Sequence, residues 1–159
     1  MMQAREASLG DVGAVVRLAA LMYESIGQRT GEHWRVAAAA EITARLGDDV
    51  VGFVVDDDTG RVVSSGIGVT THRMPSPANL AARFGYIQWV ATEPQWRGCG
   101  CARAVVTALI DWFGARQVPV IELHATPDGE PLYRSLGFDN ADNPGLRLLP
   151  VGLPNQGGR

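Results

Sequence analysis

Between Ala82 and Phe113 the hydrophobic period of the chain changes. "ARFGYIQWVAT" (82–92) is a strand-like run of aromatic and β-branched residues, and it stops just before Pro94. "EPQWRGCGCARAVVTALIDWF" (93–113) then crosses two glycines and two cysteines. It enters a run in which Ala102, Val105, Val106, Leu109, Ile110 and Phe113 recur at helical spacing. A strand, a Pro/Gly turn and an apolar-faced helix in direct succession call for a sheet with a helix packed on it.

The flanking segments supply the rest of such a sheet. "AREASLGD" reads as a short strand and a helix start, with Asp11 as candidate N-cap. Val12, Val15, Val16, Leu18, Ala19 and Met22 form the apolar face of that helix. "EHWRVAAAAEITARLGDD" is a second helix ending near Gly47. "VVGFVV" and "RVVSSGIGVTTHR" make a hairpin about the turn residues "DDDTG". Downstream, "VPVIELHAT" is a strand. "GEPLYRSLGF" is a short helix with Asp128 as cap, Pro131 in its first turn and Gly137 as stop. "LRLLPV" is a last strand. The order β-α-α-β-β-β-α-β-α-β predicts an α/β (α+β) fold, a mixed sheet with helices on its faces. At 159 residues the chain is one domain, 1–159, and only its tail "LPNQGGR" (153–159) reads as loose.

A formal net charge of -3 argues against nucleic acid as the partner, since phosphate binding leaves a basic footprint. No apolar run is long enough to span a membrane, and "MMQAREASLG" lacks the pattern of a signal peptide. A cytoplasmic setting is the default. Two cysteines spaced C-x-C with three scattered histidines do not make a disulfide framework or a tetrahedral metal site. Cys99 and Cys101 read as small residues at the turn, with mild thiol reactivity as the alternative.

The glycine turn fits neither of two common phosphate signatures. No G-x-x-x-x-G-K-[ST] string exists, and G-C-G-C-A-R from Gly98 lacks the third glycine of the dinucleotide fingerprint. What remains is Q-x-x-G-x-G: Gln95, Trp96, Arg97, Gly98, Cys99, Gly100. Such a turn lets backbone N–H groups converge on an anion, and the helix start adds its unpaired N–H groups and its dipole. From these residues alone, a plain strand-to-helix turn explains the glycines equally well.

Two segments together resolve the choice. "VATEPQWRGCGCARAVVTAL" resembles the acetyl-CoA motif of the GCN5-related N-acetyltransferase (GNAT) family, Q/R-x-x-G-x-G/A after a central strand. "VIELHATPDGEPLYRSLGF" resembles the family's next motif, a strand and a short helix ending L-Y-x-x-x-G-F. The order, the spacing and the two N-terminal helices also match, so the resemblance covers nearly the whole chain. It implies a mixed, mostly antiparallel sheet with splayed central strands. It also implies transfer of acetyl from acetyl-CoA directly to a primary amine of a small molecule or peptide. The pyrophosphate would lie over Gln95, Trp96, Arg97, Gly98, Cys99, Gly100, Cys101, Ala102 and Arg103. The pantetheine arm would pair with main chain at Gln88, Trp89 and Val90, with the oxyanion donor near Val90. No metal is implied, and a homodimer is common in the family.

The resemblance also assigns chemistry. Tyr133 is the acid for the leaving thiolate, a phenol of pKa ~10 facing a thiol of ~8.5; its structural alternative is packing on Phe138. Thr126 stands where the family often has asparagine, and Gly129 where alanine is common. "ARFGYIQWV" carries no carboxylate where many members have a glutamate base. That departure keeps a non-catalytic CoA-binding module as the alternative. His124, two residues before Thr126 and on the same strand face, is the base candidate, directly or through water, because histidine takes up protons near neutrality; its structural alternative is a hydrogen-bonded strand histidine. Glu24, Glu32, His33 and His72 are weaker candidates for the acceptor pocket, as is Trp34. Glu93 reads as a solvated turn residue, Trp96 as a cover over the turn or a surface residue, and Trp112 as a residue facing a partner or another helix.

Overall fold

A computed structural model describes residues 2–152. The tail 153–159 lies outside the described residues. Five strands form one sheet in the order β1-β2-β3-β4-β5. They are β1 (Arg5–Glu6), β2 (Val50–Asp56), β3 (Val62–His72), β4 (Arg83–Thr92) and β5 (Val120–Leu123). The first three pairings are antiparallel, and β4 pairs β5 in parallel. Helices α1 (Val12–Ser25) and α2 (Glu32–Arg45) lie along the chain before the hairpin. Helix α3 (Cys101–Ala115) makes the β4-to-β5 crossover, and α4 (Glu130–Ser135) follows β5.

The sheet carries a core on each face. Val12, Val15, Val16 and Leu18 of α1 and Ala38 and Ile42 of α2 pack with Val54, Ile67 and Val69. Val105, Val106, Leu109 and Phe113 of α3 pack with Val51, Val55, Val63 and Ile87 on the other side. Each such side chain removed from water contributes about 1.5–3 kcal/mol. The β2–β3 turn forms as its residues require: Asp57 Oδ1 accepts from the Thr59 and Arg61 N–H groups at 2.9 and 3.0 Å, and Gly60 takes φ +82°.

Glycines of the sheet lie directly beneath side chains of α3. A Cβ at Gly85 would fall 2.8 Å from the Phe113 ring, and one at Gly68 would fall 2.9 Å from it. Gly85→Val is therefore expected to cost about 1–3 kcal/mol through overpacking, seen as a lower denaturation midpoint with an unchanged m-value. Gly13→Ala in α1, where a Cβ meets nothing within 4 Å, is the control and should cause no loss.

Three sequence expectations need correction, and a fourth holds only in part. "LRLLPV" (146–151) forms no strand, and Leu146, Leu148, Leu149 and Val151 are exposed. Asp11, at the end of a 3-10 turn (Leu9–Asp11), is the N-cap residue of α1 as expected, but its side chain makes no capping bond to that helix. Its carboxylate instead accepts from the Ser8 N–H at 2.8 Å and from Arg5 at 2.9 Å, and the bonds from Arg5 hold its pKa down to about 2. β5 is shorter than "VPVIELHAT", since its ladder with β4 ends at Leu123. Asp128 caps nothing: Gly129 is the N-cap of α4, and the Thr126 carbonyl accepts from the Gly129 and Glu130 N–H groups, each at 3.0 Å.

Candidate active site

The turn after β4 is built by backbone conformation. Pro94–Trp96 form a 3-10 turn, Gly98 and Gly100 take φ +75° and +86°, and α3 begins at Cys101. A Cβ at either glycine would meet no protein atom within 4 Å. Glycine is thus required here by the left-handed φ, and the space outside is open. Two left-handed residues at the mouth of a four-turn helix gather N–H groups that have no carbonyl one turn back. This arrangement suits an anion.

The side chains around the turn divide into groups that hold it and groups that face out. Arg97 Nε donates to the Thr92 carbonyl at 3.2 Å. Arg103 donates to Ser135 Oγ at 2.8 Å, which ties α3 to α4. Trp96 is half-buried against the α3-side core instead of lying over the turn. Cys101 is buried, and burial pushes its thiol pKa up, so the helix start does not activate it. Cys99 is exposed.

Glu93 is not solvated. It is 2% exposed and is bonded by Arg17, by Arg61 at 2.7 Å and by the Gln95 side-chain amide at 2.7 Å. Arg17 also donates to the Val62 carbonyl at 2.8 Å. One buried carboxylate therefore fastens α1, β3 and the start of the glycine turn. The side chain of Gln95 is engaged in that fastening, which leaves its main chain for any ligand.

Beside the turn the sheet opens. β4 and β5 pair from Phe84↔Val120 to Ile87↔Leu123, and β4 then runs on alone on that side to Thr92. Gln88, Trp89 and Val90 lie in this opening. On the β3 side, Gln88 pairs with Ile67 and Ala91 with Ser65, so Trp89 and Val90 together oppose Gly66 in a bulge. Trp89 carries φ +57°, a strained conformation for a side-chain residue. The bulge sends its indole toward α1 and α2, where Nε1 donates to Tyr23 Oη of α1 at 3.0 Å and the ring meets Trp34 of α2 at 5.8 Å. Val90 packs on the α3 side.

Tyr133 stands on α4, half-buried against the α3-side core, with its ring edge-on to Phe138 at 5.9 Å. The ring lies over Gly129, where a Cβ would approach Tyr133 Cε2 to 3.1 Å. A side chain there would need the ring to give by a few tenths of an ångström. Burial pushes the Tyr133 pKa up, so the hydroxyl is protonated at neutral pH. Among the described residues it has no hydrogen-bond partner. Thr126 lies beyond the end of β5, so the strand-face relation to His124 does not hold. Its Oγ1 accepts from the Gly129 N–H at 3.3 Å and helps to set the turn into α4.

His124 follows the last paired residue of β5, and its Nδ1 lies 2.6 Å from Tyr86 Oη of β4. Glu24 turns to Thr30 and Arg35 and lines an open hollow of about 430 Å³ in the α1–α2 loop. Glu32, His33 and His72 are exposed and form no hydrogen bond to the residues of the opening. Trp112 meets Phe113 edge-on and lies under the Arg116 guanidinium, 3.7 Å from its ring. Tyr86, Tyr23 and the role of Glu93 escaped the sequence reading. Tyr86 shares the strand period with Gln88, but its partner lies across a parallel register that no local pattern reveals.

A glycine-turned helix mouth thus lies beside an opened strand pair. The model of the acetyltransferase (GNAT) family matches residues 19–138, and the chain belongs to that family. Among solved structures, it is similar to a predicted acetyltransferase with acetyl-CoA from Clostridium acetobutylicum. That match has 23% identity, a TM-score of 0.84 and coverage of 94% of this chain and 96% of the other. A GCN5-related N-acetyltransferase from Ralstonia eutropha JMP134 matches at 22% identity and TM-score 0.78, covering 93% and 99%. Glucosamine-6-phosphate N-acetyltransferase from Arabidopsis thaliana matches at 16% and 0.71, covering 94% and 99%. At these identities the likeness is one of fold. No curated protein matches the chain by sequence. No helix among the described residues is long and apolar enough to cross a membrane.

Proposed function

We propose that the protein is an acetyl-CoA-dependent N-acetyltransferase that moves acetyl directly to a primary amine of a small molecule or peptide. The observation that carries this reading is the opening of β4 from β5 after Ile87, followed directly along the chain by the left-handed Gly98–Gly100 turn at the start of α3. Main chain from Gln95 to Arg103 holds the pyrophosphate, using the N–H groups at the left-handed glycines and the start of α3. Free main chain from Gln88 to Val90 takes the pantetheine arm as an added strand. The acceptor enters on the α1/α2 side, along Tyr23, Trp34 and Trp89.

The residues then divide the work. His124 takes a proton from the acceptor ammonium and frees its lone pair. The nitrogen bonds the acetyl carbon as the carbon–sulfur bond breaks. Backbone N–H near Val90 faces the carbonyl oxygen as it gains charge. Tyr133 gives its proton to the thiolate and is reprotonated from solvent, while the new amide sheds its second proton to water. Thr126 fixes the turn that places Tyr133. The two free thiols fit a reducing cytoplasm.

The test is thiol release from acetyl-CoA across a panel of primary amines, measured alongside CoA binding. Amine-dependent release is expected. Tight CoA binding without release from any amine would mark a binding module instead.

A further inference from the structure

The contact between Tyr86 and His124 bridges the two strands where they part. Tyr86 pairs in register with Glu122, and His124 follows two residues on, just past the last paired position. Oη and Nδ1 are 2.6 Å apart, and the rings are tilted at 5.7 Å. His124 is exposed and Tyr86 is half-buried. The contact therefore occupies one ring nitrogen and leaves Nε2 without a protein partner among the described residues.

We propose that Tyr86 is the positioning residue for His124: its hydroxyl oxygen accepts a hydrogen bond from Nδ1–H and thereby keeps the lone pair on Nε2. This rests on the transferase reading above. In the opposite arrangement Oη would donate to Nδ1, Nε2 would carry the hydrogen, and the ring could not take a proton from an amine on that side. Proton uptake also favours the first arrangement. An imidazolium has only donors, so the contact survives the reaction step only if Oη accepts.

The surroundings agree. Burial first, and then the neighbouring Tyr23 of α1 and Glu122 of β5, push the phenol pKa of Tyr86 up, while Arg147 after α4 opposes them. Tyr86 thus stays a neutral phenol whose oxygen can accept. Glu122 is itself held by Arg73 at 2.9 Å, so it does not compete as an acceptor for the imidazole. The proton path is balanced. One proton leaves the acceptor ammonium for Nε2, Nδ1 keeps its own proton, and Tyr86 neither gains nor loses one.

The experiment is ¹⁵N NMR of ring-labelled histidine in the whole protein at neutral pH, in wild type and Tyr86→Phe. The His124 signals are assigned by their loss in His124→Gln. The expected wild-type signature is a protonated Nδ1 and an unprotonated Nε2, and Tyr86→Phe should lose it while its fold is retained. Once an acceptor is found, the same variant should lower kcat by about 10–100-fold, the scale for losing a partner that orients an active histidine. KM for acetyl-CoA should stay unchanged. A wild-type ring protonated at Nε2, or a tautomer that Tyr86→Phe leaves unaltered, overturns the proposal even if turnover falls. The tautomer is read without turnover, so a protein that acetylates no amine refutes the transferase reading while the NMR still decides the role of Tyr86.

Discussion

Tyr133→Phe is expected to reduce turnover by about 10²-fold or more, the usual scale for loss of a positioned acid. The ring stays, and with it the edge-on contact to Phe138 and the seat over Gly129. Folding and CoA affinity should therefore hardly change. The phenol is protonated at neutral pH because burial raises its pKa, so the hydroxyl is present as an acid throughout the working range. In the proposed mechanism its contact to sulfur strengthens as the thiolate leaves. The loss should thus fall on kcat more than on KM in steady-state kinetics. Wild-type turnover in the variant would reduce Tyr133 to a packing residue.

Replacing Gly98 or Gly100 by valine should abolish CoA binding. Both positions hold φ values that a β-branched residue tolerates poorly, so the turn must change its path. A Cβ there meets no protein atom, so the core stays intact and the free protein should remain folded. In wild type, CoA at 100 times its Kd should stabilise by about 2.7 kcal/mol. The corresponding rise in Tm should vanish in either variant. Unchanged CoA affinity would remove the pyrophosphate from this turn.

The sequence was most informative where the chemistry is local. The run from Ala82 to Phe113 announced strand, turn and helix, and Gly98, Gly100 and Gly137 all take the positive φ that their places demanded. The short helix with Tyr133 was legible because Pro131 and Gly137 bracket it. What failed depended on partners far along the chain. "LRLLPV" has the composition of a strand, but no sheet edge pairs with it among the described residues. Glu93 looked like a turn residue because the arginines that bury its charge come from positions 17 and 61. Trp89 looked like one more strand residue, yet the bulge that redirects it arises from a register offset against β3. Tyr86 became visible only once the parallel pairing of β4 with β5 set it beside His124.

Direct transfer is the central claim, and labelled acetyl tests it most simply. The protein is incubated with acetyl-CoA labelled in the acetyl group, first alone and then with an amine that supports thiol release. Mass spectrometry follows both the protein and the amine. The account predicts an unlabelled protein at every stage, including at the exposed thiol of Cys99, and label on the amine nitrogen in the same amount as the released thiol. Label that resides on the protein and then passes to the amine, or that never leaves acetyl-CoA with any amine, would contradict it.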